Sequence, residues 1–141
     1  MAVEQTLILV KPDGVRRGLI DKIVARFERK GLKISAMKMM RVTPELSDVH
    51  YAEHLAKGFY PDLKAFITSG PIVAMIVEGD QAVALSRKLM GATKFTEAEP
   101  GTIRGDFAFS MTENLVHGSD SPASAAREIA IYFNEAEMMK R

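Results

Sequence analysis

Apolar positions along the chain follow two rhythms, and the switches between them mark out its elements. Thr6 to Val10 is a short β-branched apolar run, read as a buried strand that ends in a turn at Lys11-Pro12-Asp13-Gly14. Leu19, Ile20, Ile23, Val24 and Phe27 then share one helical face, with Asp21, Lys22, Arg26 and Arg29 off it and Gly31 as the stop. Leu32 to Val42 reads as a strand whose period slips, because Lys38 shares a parity with Ile34 and Ala36; the slip predicts a bulge or an edge position.

Thr43-Pro44-Glu45 supplies a cap, a first-turn proline and a first-turn acid, opening a helix that carries His50, Tyr51 and His54 as far as Gly58. A second short helix runs through Leu63, Phe66 and Ile67 to Gly70-Pro71, and Ile72 to Val77 is a third strand, turned at Gly79-Asp80. The helix carrying Ala82, Leu85 and Leu89 ends at Gly91, with Arg87 in its last turn. From Ala92 to Gly105 no period survives and a loop is expected, after which Phe107 and Phe109 alternate as in a strand.

Asn114 to Pro122, N-L-V-H-G-S-D-S-P, is the stretch on which the rest depends. A short apolar strand ends at His117, Gly118 signals a turn, Ser119, Asp120 and Ser121 are helix-capping types, and Pro122 suits the first helical position. Ala125, Ala126, Ile129, Tyr132 and Phe133 give that helix its buried face. The order of elements suits an α+β sandwich, a four-stranded, mainly antiparallel sheet with helices packed on it.

Composition narrows the classes. A chain of 141 residues suits one domain able to bury a real core. Its 47% hydrophobic and 26% charged residues are ordinary for a globular protein. A net charge of +1 gives no support for bulk electrostatic binding of nucleic acid, and the absence of cysteine excludes disulfides, zinc-thiolate sites and thiol catalysis. Met1 to Gln5 has neither a basic start nor an apolar signal core, and Ile72 to Val77 is far too short to span a bilayer, so a soluble, cytoplasmic protein is expected.

Neither a P-loop nor a dinucleotide fingerprint occurs, so phosphate binding needs another device. Lys11, Arg87 and Arg104 lie at element ends or in the long loop, where cations can converge on one cleft, although each alone reads as a surface charge. His117 sits beside a helix N-terminus, which favours anions; alone, a histidine at a strand end is usually structural. Two other chemistries have partial patterns. His50-Tyr51-Ala52-Glu53-His54 matches the inverted zincin motif H-x-x-E-H, with both histidines on one helical face but no third ligand signalled. Phe107 and Phe109 faintly echo the stacking aromatics of an RNA-binding sheet, whose full pattern is missing.

Taken together, the motifs resemble those of the nucleoside diphosphate kinases over nearly the whole chain. N-x-x-H-G-S-D-S is accompanied in order by V-K-P-D-G-V-x-R-G-L-I at Val10 to Ile20, H-Y-A-E-H at His50 to His54 and S-G-P-I-V-A-M at Ser69 to Met75. G-A-T at Gly91 to Thr93 and P-G-T-I-R-G-D-F at Pro100 to Phe107 complete the set. The resemblance implies a ferredoxin-like fold and exchange of a γ-phosphate between nucleoside triphosphates and diphosphates. It also implies Mg²⁺ carried on the nucleotide phosphates and assembly as a homo-tetramer or hexamer. No protein-held metal is expected, and His50 and His54 should hold no zinc.

By the same resemblance His117 is expected to be the phosphorylated nucleophile, Glu128 to orient its ring, and Ser119 to lie near both. Arg87, Thr93, Arg104 and Tyr51 match phosphate-side positions, and Lys11 and Asn114 match ribose contacts. Phe59 matches the aromatic on which the base stacks, with Met111 on the base's other face. Asp120 and Ser121 read instead as caps. Two departures stand out: Gly58 replaces a proline before Phe59, which loosens that backbone, and Lys94-Phe95 replaces an Asn-Pro step in the long loop.

Overall fold

A computed structural model describes residues 3–141; Met1 and Ala2, part of the leader reading, lie outside this range. Four strands, β1 (Val3–Val10), β2 (Lys33–Arg41), β3 (Pro71–Asp80) and β4 (Val116–Gly118), form one sheet in the order β2-β3-β1-β4. Every neighbouring pair is antiparallel. The helices are α1 (Pro12–Arg16), α2 (Ile20–Lys30), α3 (Pro44–His50), α4 (Tyr60–Ile67), α5 (Ala82–Met90), α6 (Ile103–Phe107) and α7 (Pro122–Tyr132).

The apolar runs of β1 and β3 are continuous because both faces of the sheet are covered. Ile8, Val10, Val73, Met75 and Val77 meet Ile23 and Phe27 of α2 and Ala82 and Met90 of α5 on one face. Leu7, Leu9, Ile72, Ala74 and Ile76 meet Tyr60 and Ile67 of α4 and Ile129 and Tyr132 of α7 on the other. Alternate residues of one strand therefore serve two cores, as the pleat requires. Gly31 closes α2 in the left-handed region at φ 105°, where a side chain would be strained.

The slipped period of the second strand has both anticipated causes: β2 is an edge strand, and its register shifts between Ile34 and Ala36. Four local expectations are corrected. At the expected Lys11–Gly14 turn, Lys11 is the N-cap of α1 and Pro12 to Gly14 are its first residues, and Gly79 and Asp80 stay in β3 because they pair with Glu4 and Val3. Phe107 ends α6, capped by the Thr102 side chain, so its alternation with Phe109 is not a strand; Phe109 is 88% exposed. The helix opened by Thr43 ends at His50, and His54 lies in a separate 3₁₀ turn, Ala52–His54.

Candidate active site

His117 is central to β4, directly opposite Leu9 of β1. Residues paired across a sheet share a face, so the imidazole joins the side covered by α3 and α7. Gly118 lies in the strand rather than a turn, and a Cβ there would come within 2.7 Å of the Met90 sulfur. The approach to β4 is a tight three-residue turn: the Val116 N–H donates to the Asn114 carbonyl at 2.9 Å while Leu115 takes φ 76°. A buried leucine in this region carries strain of about 1–3 kcal/mol. Asp13 of α1 holds the turn, its Oδ2 accepting from the Leu115 N–H at 3.1 Å.

One carboxylate organises the imidazole. His117 Nε2 lies 2.7 Å from Glu128 Oε1, the same oxygen that accepts from the Ser119 hydroxyl at 2.9 Å. An imidazole held to a carboxylate through Nε2 carries its proton there and leaves Nδ1 with the free lone pair. Burial lowers the His117 pKa, and the hydrogen bond it donates to Glu128, with that carboxylate's charge, only partly offsets this. Burial opposes the Glu128 charge most strongly of any single cause, but His117, His50 and Ser119 together outweigh it, so that pKa falls below the ordinary carboxylate value.

Around this pair lies a cavity of about 220 Å³ whose walls include Lys11, Tyr51, Arg87, Thr93, Arg104 and Asn114. Arg104 is not a loop residue. It belongs to α6, is buried, and donates from Nε to the Asn114 carbonyl, from Nη1 to the Gly91 carbonyl and from Nη2 to the Val116 carbonyl, at 3.3, 3.0 and 2.8 Å. Arg87 donates to the Gly118 carbonyl at 3.0 Å, so both guanidiniums brace the strand that carries His117. Lys11 Nζ donates to Asn114 Oδ1 at 2.9 Å. Its burial and the Arg104 charge lower its pKa to about 8, against the pull of Asp13.

Phe59 and Met111 stand outside the cavity lining, each about half exposed at 53% and 52%. The anion-binding capacity expected of the α7 N-terminus is mostly spent. Pro122 has no N–H, and the Ser124 N–H donates to the Ser121 hydroxyl at 3.0 Å, which makes Ser121 the cap; Asp120 instead lines the cavity. The positive field comes from side chains.

Two participants went unassigned in the sequence except within the zincin pattern or not at all. His50 stacks on Tyr51 with ring centroids 4.3 Å apart, meets the His117 ring edge-on at 4.6 Å, and its Nδ1 lies 2.6 Å from the Tyr132 hydroxyl. Arg127 donates to the Val49 and His50 carbonyls, tying α7 to the end of α3. The helix break after His50 removes the i, i+4 geometry that H-x-x-E-H requires for zinc.

The sequence model of the family described as "Nucleoside diphosphate kinase" matches residues 4–138. A nucleoside diphosphate kinase of Moorella thermoacetica is 59% identical over 98% of this chain and 99% of its own length. One from Thermus thermophilus is 56% identical over 97% and 100%. The solved structure of a halophilic nucleoside diphosphate kinase from Halobacterium salinarum, in complex with CDP, superposes with a TM-score of 0.97 at 49% identity, covering 99% of this chain and 93% of that one. Fold and site thus define a nucleotide phosphotransferase of ferredoxin-like α+β architecture. The chain belongs to the nucleoside diphosphate kinase family, and its activity is that family's phosphotransfer between nucleotides. No helix among the described residues is long and apolar enough to cross a membrane.

Proposed function

We propose that the γ-phosphate of a nucleoside triphosphate passes to His117 Nδ1 and from there to a nucleoside diphosphate, in a ping-pong cycle. The observation that carries this reading is the 2.7 Å bond between His117 Nε2 and Glu128, which fixes the tautomer and leaves Nδ1 as the nucleophile. As Nδ1 bonds to phosphorus the ring gains positive charge, which the Glu128 carboxylate balances; Ser119 positions that carboxylate. Arg87, Arg104 and Thr93 face the transferring oxygens, where preorganised donors stabilise developing charge. The Tyr51 hydroxyl, buried in the cavity wall without a protein partner, serves the same phosphates. Initial rates at several fixed diphosphate concentrations should give parallel double-reciprocal lines, and intersecting lines would refute the covalent cycle.

Mg²⁺ enters as part of the substrate. Among the described residues the one His/carboxylate cluster able to hold an ion is His50, His117 and Glu128, a nitrogen-rich set unlike the oxygen shell Mg²⁺ prefers. When bound across the phosphates, the ion neutralises charge on the transferring group. Lys11 and Asn114 hold the ribose hydroxyls. The value of about 8 for Lys11 then sets an alkaline limit. The lysine loses its charge as pH rises through that value, so kcat/KM, which reports the free enzyme, should decline above it. Asp13→Asn keeps an acceptor for the Leu115 N–H but removes the charge that supports Lys11, so the limb should move to lower pH; an unmoved limb would detach it from Lys11.

At about 220 Å³ the cavity is smaller than the ~300–1,000 Å³ that encloses a whole small-molecule ligand. Phosphates and sugar fill it, and the base lies at the rim between Phe59 and Met111, neither of which offers a polar group to read its edge. Purine and pyrimidine nucleotides should therefore differ by less than about tenfold in kcat/KM. Phe59→Ala should weaken all of them, purines most. Turnover of guanine nucleotides alone would show that the base is read elsewhere. We further propose that the enzyme acts in the cytoplasm as a homo-tetramer or hexamer. The exposed Met37 and Met39 on edge strand β2 support self-association, which light scattering would measure.

A further inference from the structure

We propose that His50, His117 and Glu128 form a site for a divalent transition metal such as Zn²⁺, and that a metal bound there stops phosphotransfer. The three side chains each offer a ligand atom, and these atoms lie within 4.8 Å of one another. Glu128 Oε1 is 2.7 Å from His117 Nε2 and 3.9 Å from His50 Nε2. Tetrahedral zinc with bonds of about 2.0–2.1 Å spaces its ligands roughly 3.3 Å apart. The carboxylate therefore needs to shift by roughly half an ångström away from one imidazole and toward the other, and the two imidazole nitrogens, which lie within 4.8 Å of each other, need to close to the same spacing by rotation about their side-chain torsions.

A second observation is independent of this spacing. His50 is buried, its Nε2 has no hydrogen-bond partner, and that atom is directed toward the carboxylate. A buried ring nitrogen without a partner costs free energy unless some ligand uses it. The outer shell is also in place. His50 Nδ1 meets the Tyr132 hydroxyl at 2.6 Å and Ser119 donates to Glu128 at 2.9 Å, the kind of support that orients metal ligands. Two imidazoles and one carboxylate are a zinc-type set, and the adjoining cavity leaves a fourth position for water. Glu53 and His54 of the H-Y-A-E-H motif take no part; the second and third ligands come from β4 and α7.

Binding puts the metal in place of the proton between His117 Nε2 and Glu128, and that proton moves to Nδ1, so the ring stays neutral and the Nδ1 lone pair is taken up. The carboxylate then neutralises the ion instead of the charge that develops on the ring, so Nδ1 becomes a poorer nucleophile. Mg²⁺, which favours oxygen ligands and keeps its waters, does not compete for two imidazoles. The nearby charges of Lys11, Arg104 and Arg127 oppose a cation, which weakens binding relative to a site without them. The enzyme would thus run on magnesium nucleotides and be stopped by zinc bound at this site.

The chain has three histidines, which makes the test direct. Full-length, nucleotide-free protein labelled with ¹⁵N-histidine is titrated with Zn²⁺ and followed by NMR, with the His54 signals assigned from His54→Gln. At one equivalent, the Nε2 signals of His50 and His117 should shift together while those of His54 stay. A tenfold excess of Mg²⁺ should not reverse the change. In parallel, one equivalent of Co²⁺ should give the visible absorption of a four- or five-coordinate ion, and His50→Gln should weaken its binding at least tenfold. Shifts confined to one histidine, shifts at His54, reversal by Mg²⁺, unchanged Co²⁺ affinity in His50→Gln, or no saturable binding below millimolar metal would each overturn the proposal. None of these readouts depends on whether His117 is the nucleophile.

Discussion

His117→Ala should reduce nucleotide phosphotransfer by about 10⁴-fold or more, the scale lost when a covalent nucleophile is removed. Its KM values and its folding should change little. His117 lies on a three-residue edge strand, anchored through backbone pairs to Ile8, Leu9 and Val10, and its ring makes its close polar contact with Glu128 alone. Losing the imidazole removes the proposed nucleophile without opening the core, since a cavity already lies beside it. Measurement of kcat and nucleotide affinity in a variant with an unchanged melting curve checks this. A residual rate above one per cent would mean that phosphate moves by another route.

Arg104→Lys should cost about 10²–10³-fold in kcat/KM, comparable to removing a preorganised donor from a transition state, and should also lower the melting temperature. The side chain spreads its guanidinium over the Asn114, Gly91 and Val116 carbonyls, while burial and the Arg87 charge lower its pKa to about 10. A lysine keeps one charge but cannot satisfy three acceptors in a planar fork. The strained Leu115 turn would lose part of what holds it, displacing Asn114 and His117 together. Arg87→Lys, which forfeits one such bond, should be milder. Equal effects of the two would mean that the backbone clamp contributes nothing.

Periodicity and end signals carried much of this into the sequence. The face of α2, its Gly31 stop, the Thr43 cap and the Ser121-Pro122 start of α7 are local, and each stands where local chemistry puts it. The α6 helix was hidden because it is five residues long and contains Gly105, leaving the two-point alternation of Phe107 and Phe109 as a misleading cue. The end of α3 was equally hidden: nothing in Tyr51-Ala52-Glu53 marks the break that separates His50 from His54.

Legibility within the site divides in the same way. Lys11, Tyr51, Arg87, Thr93, Arg104, Asn114, His117 and Glu128 line one cavity while Phe59, Met111 and Ser119 do not, and the contacts that shape the cavity join distant segments. Asp13 meets the Leu115 N–H across 102 positions, and leucine is a residue type that sequence reasoning never assigns to positive φ. His50 was legible only as half of a zinc motif, because its surroundings are the neighbouring Tyr51, His117 of β4 and Glu128 of α7, which only the fold brings together.

The central claim is that phosphate rests on His117 Nδ1 between donor and acceptor. Nucleotide-free enzyme incubated with γ-labelled ATP and Mg²⁺, freed of nucleotide and digested at alkaline pH, reports it directly. The expected result is an acid-labile phosphate approaching one per chain, located on the peptide containing His117 and attached at Nδ1, which a different nucleoside diphosphate discharges completely. Phosphate on another residue, attachment at Nε2, or a labelled enzyme that no diphosphate discharges would contradict it.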